Sequence, residues 1–313
     1  MLTDASIELR SPKPSFAMRA IKWLMSKRRP VFPHEAGAFE NMMATRSKPL
    51  DAPMPEKLAQ RFIVERRTLE GREVVTLHPK SGPAPWHMLY FHGGGFVLPM
   101  FKEHWPLAAE LVDRAGVSIT LPMYDVVPEA SAVSQDALAD AAFAEIAATH
   151  DPARIVLCGD SAGGHMALSL AVRLAAAGGP QPGRLALFAP WLDLTMADPA
   201  IASVEPHDIM LKIGTLRSCG KMFAEDRDPA SPECSPLYLD REILKMLPPT
   251  RIWTGRHDLF IIDSRTFVGR LRDAGVDAKL YEYEASPHVF MAITPTRESK
   301  DVLSLLKGFL DRV

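Results

Sequence analysis

"RIVLCGDSAGGHMALSL", Arg154 to Leu170, decides how the rest of the chain is read. It opens as a continuous apolar run of strand length and closes with the apolar spacing of a helix, and Gly-Asp-Ser-Ala-Gly stands between the two. A G-x-S-x-G string joining a strand to a helix marks a tight, strained turn that exposes the central hydroxyl, here Ser161, at the edge of a sheet. Gly159 and Gly163 lack side chains because strand and helix approach closely there. The bland alternative is that Ser161 only caps the helix behind it. The strand-turn-helix context favours a nucleophile, and the helix start offers N–H groups and a dipole that favour nearby negative charge.

Outward from this turn, apolar runs and helix-like segments alternate. "RFIVERRTL" and "REVVTLHP", with Gly71 between them, read as an antiparallel start; "WHMLYF", "VSITLPMY", "RIVLC", "RLALFAP", "TRIWTG" and "AKLYEY" follow, each separated from the next by a helix. Such alternation predicts a mostly parallel sheet of eight strands with helices on both faces. The segment 1–59, broken by Pro12, Pro14, Pro30, Pro33, Pro49, Pro53 and Pro55, leaves room only for short helices. A second departure, 192–239, contains "DIMLKIGTLRSCGKMFAED", an amphipathic helix candidate, and no convincing strand. The expected division is a core of 60–191 and 240–313, roofed by 1–59 and 192–239, since insertions in such sheets gather at the carboxyl ends of strands.

A serine hydroxyl needs a positioned base, and the base needs a carboxylate to hold its tautomer. Sheets carrying this turn supply them in the order serine, acid, histidine. "RIWTGRHDLF" places Asp258 just past one strand and "LYEYEASPHVF" places His288 just past the next, so both emerge at the edge that carries Ser161. Asp263 is the rival acid, His257 reads as incidental, and His165, one helical turn after Ser161, is left between a site role and packing.

"WHMLYFHGGGFV" ends a strand in a histidine and three glycines, which weakens it unless bare backbone is needed there. Attack on a carbonyl creates an oxyanion, and unobstructed N–H groups must already point at it. The expected donors are Gly94, Gly95 and Ala162, with Gly93 allowing the turn and His92 bracing the loop. A phosphate-cradling loop is disfavoured because neither G-x-x-x-x-G-K-[ST] nor G-x-G-x-x-G is present.

Bulk properties exclude other classes. The 36 basic and 38 acidic residues are dispersed, without the clustering of a nucleic-acid footprint. The 3 cysteines, Cys158, Cys219 and Cys234, show no C-x-x-C spacing and read as reduced thiols, and the 10 histidines lack metal-ligand spacing. No metal and no cofactor is expected. "EPHDIM", with His207 and Asp208, reads as a helix start. With neither a secretory layout at the N-terminus nor an apolar run long enough to span a bilayer, a cytoplasmic location is expected, with no integral membrane segment. The basic stretch Phe16–Arg29 has two readings, a helix packed on the protein's own body, which is favoured, and a surface helix on a membrane.

"HGGGF" at His92, "YDVVPE" at Tyr124, "GDSAGGH" at Gly159, "PWLDLT" at Pro190, "SPLY" at Ser235, "HDLFIID" at His257 and "PHVF" at Pro287 together resemble the hormone-sensitive lipase-like esterases of the α/β-hydrolase fold. The wording is similar to that of the bacterial acetyl-hydrolases and monoterpene ε-lactone hydrolases of that group. The resemblance implies Ser161 as nucleophile, Asp258 as acid, His288 as base, a helical cap, no cofactor, and a group in which homodimers are common. His165 stands where the family usually has asparagine, "LPM" at Leu98 to Met100 replaces the usual small residues, and the segment after Glu129 is shorter than usual. The expected function is hydrolysis of short- to medium-chain acyl esters through an acyl-enzyme. Lactone opening or deacetylation by the same triad is the alternative within the class, and a non-catalytic small-molecule receptor is the alternative outside it.

Overall fold

The computed structural model describes residues 6–28, 30, 32–33 and 37–312. Its centre is one sheet built from β1 (Ile7–Ser11), β2 (Phe62–Leu69), β3 (Arg72–Pro79), β4 (Trp86–Phe91), β5 (Val117–Pro122), β6 (Ile155–Asp160), β7 (Arg184–Phe188), β8 (Thr250–Gly255) and β9 (Ala278–Tyr283). The strand order is β1-β9-β8-β7-β6-β4-β5-β3-β2. Pairing is parallel from β1 through to β5, and antiparallel for β5 with β3 and β3 with β2. β4, β5, β6 and β8 are buried along their whole length, as expected when both faces are covered.

The sheet has 9 strands, one more than the alternation of apolar runs predicts. The additional strand, β1, comes from the segment read as cap alone. It is an edge strand of 5 residues with exposed Leu9 and Arg10, so it carries neither the length nor the continuous apolar run of the strands that the sequence reveals.

Two apolar layers sandwich the sheet. Leu89, Leu157 and Ile252 point to one face, under the helices Ala132–Ala147, Ala162–Ala176 and Ile261–Asp273. Met88, Val156 and Trp253 point to the other, under His104–Glu110 and Arg297–Leu310. Alternate residues of each strand thus serve opposite layers.

The helix Phe16–Ser26 buries Met18 against the body and leaves Phe16, Trp23 and Leu24 exposed on its outer side. Arg29, the last residue of that basic stretch, lies outside the described residues. No helix among them is long and apolar enough to cross a membrane. In the segment 192–239 a short 3-10 helix covers Glu205–His207, and the α-helix begins only at Ile213. Before it, the Asp208 carboxylate accepts the N–H groups of Met210 and Leu211 and holds the chain in a turn.

Candidate active site

Ser161, the glycine loop, Asp258 and His288 stand at the edge where β4, β6, β8 and β9 end. β6 delivers Ser161 at φ 55°, ψ −120°, a conformation that a residue with a Cβ adopts only under constraint. The constraints are visible. The Ser161 N–H donates to Phe188 O at 2.9 Å, and Ser161 O accepts from the N–H groups of Trp191 and His165, each at 3.1 Å. A Cβ on Gly159 would lie 2.2 Å from Gly163 O, and one on Gly163 would lie 2.0 Å from Phe91 O, so neither position admits a side chain. The helix Ala162–Ala176 starts immediately, and the Ala162 N–H is one of its first-turn donors without an intrahelical acceptor.

The glycine loop after β4 is tied to the same turn. Gly93 N–H donates to Asp160 Oδ1 at 3.0 Å, and the Tyr90 hydroxyl donates to the same oxygen at 2.6 Å. A Cβ on Gly93 would lie 3.1 Å from Ser161 Cβ, so the loop runs against the serine. Burial pushes the Asp160 carboxyl up, but nearby His104 and the Tyr90 hydrogen bond outweigh it and hold the carboxyl below its ordinary value. Gly94 at φ 133° and Gly95 at φ 62° bend the loop, and Gly94 O accepts from Leu98 N–H at 2.9 Å. Among the described residues no protein acceptor takes the N–H of Gly94 or Gly95.

His92 lies flat on Tyr124, ring centroids 4.1 Å apart, with Nδ1 2.6 Å from Gly93 O, while Tyr124 donates its hydroxyl to His92 O at 2.6 Å. Burial, with His104 adding to it, lowers the His92 ring to about 3, so it is a neutral brace at ordinary pH. Met100 is buried in the layer that holds Trp105 and Leu58, with its N–H on Asp51 Oδ1 at 2.9 Å, so it anchors the loop to the N-terminal segment.

Asp258 and His288 meet. The Asp258 carboxylate is fully buried; Oδ2 lies 2.9 Å from His288 Nδ1 and Oδ1 accepts Phe260 N–H at 3.0 Å. The two loops are clamped together: His257 N–H donates to Ser286 O, and a Cβ on Gly255 would lie 2.1 Å from that same oxygen. His288 is 5% exposed, with the Phe260 ring edge-on at 5.2 Å. Burial opposes its charge, but Asp258 first, then Asp208 and Asp160, more than compensate, so it titrates above its ordinary 6.5.

The other candidates lie elsewhere. Asp263 is buried in the helix Ile261–Asp273, pushed up to about 8 by burial and by Asp193 and Asp198. The His257 ring is engaged by Lys22 and stacked at 5.0 Å on His207. His165 packs edge-on against Phe96 and Phe223 and reaches Trp191 O with Nδ1 at 3.2 Å, which makes it part of the packing behind the turn. Cys158, Cys219 and Cys234 are free and buried.

Beside Gly95 the segments 1–59 and 192–239 meet. A Cβ on Gly95 would lie 2.9 Å from Phe32 Cζ and 3.6 Å from Cys219 Sγ, and Thr215 Oγ1 donates to Pro33 O at 2.8 Å. Phe96 stacks on Phe223 of the helix Ile213–Ala224 at 3.8 Å. Asp208, read from the sequence as part of a helix start, accepts the N–H of Leu259, the residue after Asp258, at 3.0 Å through Oδ2. Its signal, an aspartate before "IMLKI", is indistinguishable locally from a turn residue.

Comparison with known proteins agrees with this fold. The chain is 31% identical over 198 residues to an esterase of Acinetobacter venetianus, 62% of this chain and 64% of that protein. It is 30% identical over 226 residues to an acetyl-hydrolase of Streptomyces hygroscopicus, 71% of this chain and 74% of that protein. The chain thus spans just under two thirds of the length of the first of these relatives. A crystal structure of an esterase from the bacterial hormone-sensitive lipase family superposes with a TM-score of 0.80 at 24% identity, covering 95% of this chain and 98% of that one, which shows the shared fold. A profile of the alpha/beta hydrolase fold matches residues 88–292, and with an elbow serine, a glycine loop and an acid–histidine pair at one sheet edge, the chain belongs to the α/β-hydrolase family.

Proposed function

We propose that the protein is a serine carboxylesterase acting on short- to medium-chain acyl esters through an acyl-enzyme. The observation that carries this is the 2.9 Å contact of Asp258 Oδ2 with His288 Nδ1 at the edge where the strained turn presents Ser161. A carboxylate on Nδ1 fixes the tautomer that leaves Nε2 as the base. In the first step Nε2 takes the Ser161 proton as Oγ attacks the ester carbonyl, and the oxyanion is received by the N–H groups of Gly94, Gly95 and Ala162. The tetrahedral species expels the alcohol, which takes the proton from Nε2, and leaves the acyl group on Oγ. Water, deprotonated by the same Nε2, then releases the acid and restores the serine.

The cap reading for 1–59 and 192–239 is supported by the contacts of Phe32, Pro33 and the helix Ile213–Ala224 above Gly95. The roof is close: Ser161 is 6% exposed. The name of the Streptomyces relative favours acetyl esters as the first substrates to try. Lactone opening uses the same atoms, with the alcohol remaining tethered to the acyl chain. A cytoplasmic location and a homodimer belong to the same proposal. Replacing Ser161 by Ala is expected to lower kcat for p-nitrophenyl butyrate by about 10⁴-fold or more. A variant retaining the wild-type rate contradicts the assignment. Acyl esters, lactones and acetamides assayed side by side identify the substrate class.

A further inference from the structure

We infer that Asp208, carried by the cap insertion, is a positioning residue for the acid–histidine pair: it holds the loop of Asp258 in place and adds a second negative charge facing His288. The inference rests on the hydrolase reading proposed above.

Asp208 is 3% exposed, and both its oxygens are used. Oδ1 accepts Met210 N–H at 2.8 Å and Leu211 N–H at 2.9 Å, which fixes the turn before the cap helix. Oδ2 accepts Leu259 N–H at 3.0 Å, a contact across 51 residues of sequence. Phe260 N–H meanwhile goes to Asp258 Oδ1 at 3.0 Å. The two amides that follow Asp258 are therefore held by two different carboxylates, one from its own loop and one from the cap. A loop fixed at both amides cannot rotate the Asp258 carboxylate away from His288 without breaking one of these bonds.

Two buried carboxylates this close repel, and the repulsion has a use only if a positive charge forms between them. Burial and Asp258 push the Asp208 carboxyl up to about 6, while His288 pulls it down. His288 and the Met210 and Leu211 N–H groups favour the charged form of Asp208 against that rise. The groups facing His288 are Asp258, Asp208 and Asp160, together with the Phe260 ring. Those facing Asp208 are Asp258, His288 and Lys22 of the helix Phe16–Ser26. Its neighbour in sequence, His207, stacks on His257, which Lys22 contacts. Lys22 is half-buried at the floor of a surface groove that it shares with Trp23, Ile209 and Ala285. The imidazolium that forms during attack is thus the charge that two or more carboxylates stabilise, and the same carboxylates hold the proton on the resting ring to higher pH.

The test is the pH dependence of kcat/KM for p-nitrophenyl butyrate in wild type, Asp208→Asn, Asp208→Ser and Asp208→Glu, with melting temperature measured alongside. Both uncharged variants are expected to move the acidic limb to lower pH by about half a unit to one unit and to lower kcat on the alkaline plateau about tenfold. KM should change less than kcat, and Asp208→Glu should restore the wild-type limb. An acidic limb that stays at its wild-type pH in both uncharged variants overturns the inference, whatever their stability. A wild type that shows no acidic limb and does not label with a fluorophosphonate contradicts the hydrolase reading itself; a wild type that labels, sharing its limb with the variants, contradicts only the role of Asp208.

Discussion

Ser161 sits at φ 55° because five fixed points leave its backbone no alternative: the Phe188 carbonyl, the Trp191 and His165 amides, and the bare crossings at Gly159 and Gly163. Around it, single residues make separable predictions. At Gly94, φ 133° is a conformation open essentially to glycine, and a Cβ would lie 2.4 Å from Leu98 O. Gly94→Ala should displace the donor N–H and lower kcat by about 10²- to 10³-fold, with a smaller change in KM; steady-state kinetics on p-nitrophenyl butyrate check it, and an unchanged kcat contradicts the assigned donor. Asp263 makes the opposite kind of statement. Its folded value of about 8 lies above that of an unfolded carboxyl, so the folded chain binds the extra proton and stability is lost as pH rises from about 4 to 8. Asp263→Asn removes that loss, so melting scans should show a gain of a few degrees at pH 8.5 and little change at pH 5. A variant less stable than wild type at pH 8.5 rejects the burial of a neutral acid there.

Among the elements, those legible in the sequence are those whose pattern is local. β4 carries the apolar run Met88–Phe91 and β6 the run Ile155–Cys158, each followed within two residues by glycine, and such runs need no partner to be recognised. β1 and the turn at Asp208 are not legible for the opposite reason. β1 becomes a strand only because β9 offers it an edge, through parallel pairs such as Ile7 with Leu280. Asp208 acquires meaning only when folding brings Leu259 to it. The same distinction explains the site. Asp258 and His288 follow strands whose direction is set by the parallel order, so their meeting could be expected, whereas no local pattern tells which cap residue reaches them. The helix Ile213–Ala224, part of the proposed cap, leans on the core through Phe223, buried and stacked on Phe96 at 3.8 Å. Phe223→Ala is expected to cost about 3 kcal/mol, measurable by urea unfolding. A cost below about 1 kcal/mol rules out Phe223 as an anchor of the cap.

In the whole molecule the buried histidines set how the fold responds to acid. His87 and His92 are lowered to about 3 and His165 to about 4, in each case by burial first. All three are neutral when folded and take up a proton when unfolded below about pH 6.5. The unfolded state then binds more protons, so stability falls as pH drops through the window from about 6.5 to 4, by about 1.4 kcal/mol per pH unit for each histidine. His288 moves the other way, its folded value being raised, so its own contribution is full below about 6.5 and is lost as pH rises through that raised value. Activity and stability should therefore both decline in acid for different reasons, the first through protonation of one base and the second through exposure of three neutral rings. Urea midpoints at pH 7 and pH 5 separate the two, and equal midpoints contradict the buried neutral state of these rings. If one serine in this molecule is activated, peptide mapping by mass spectrometry after exposure to a fluorophosphonate at pH 7.5 should find a single adduct on Ser161, lost in Ser161→Ala and strongly slowed in His288→Ala; an adduct that persists in Ser161→Ala, or none in wild type, contradicts an activated Ser161.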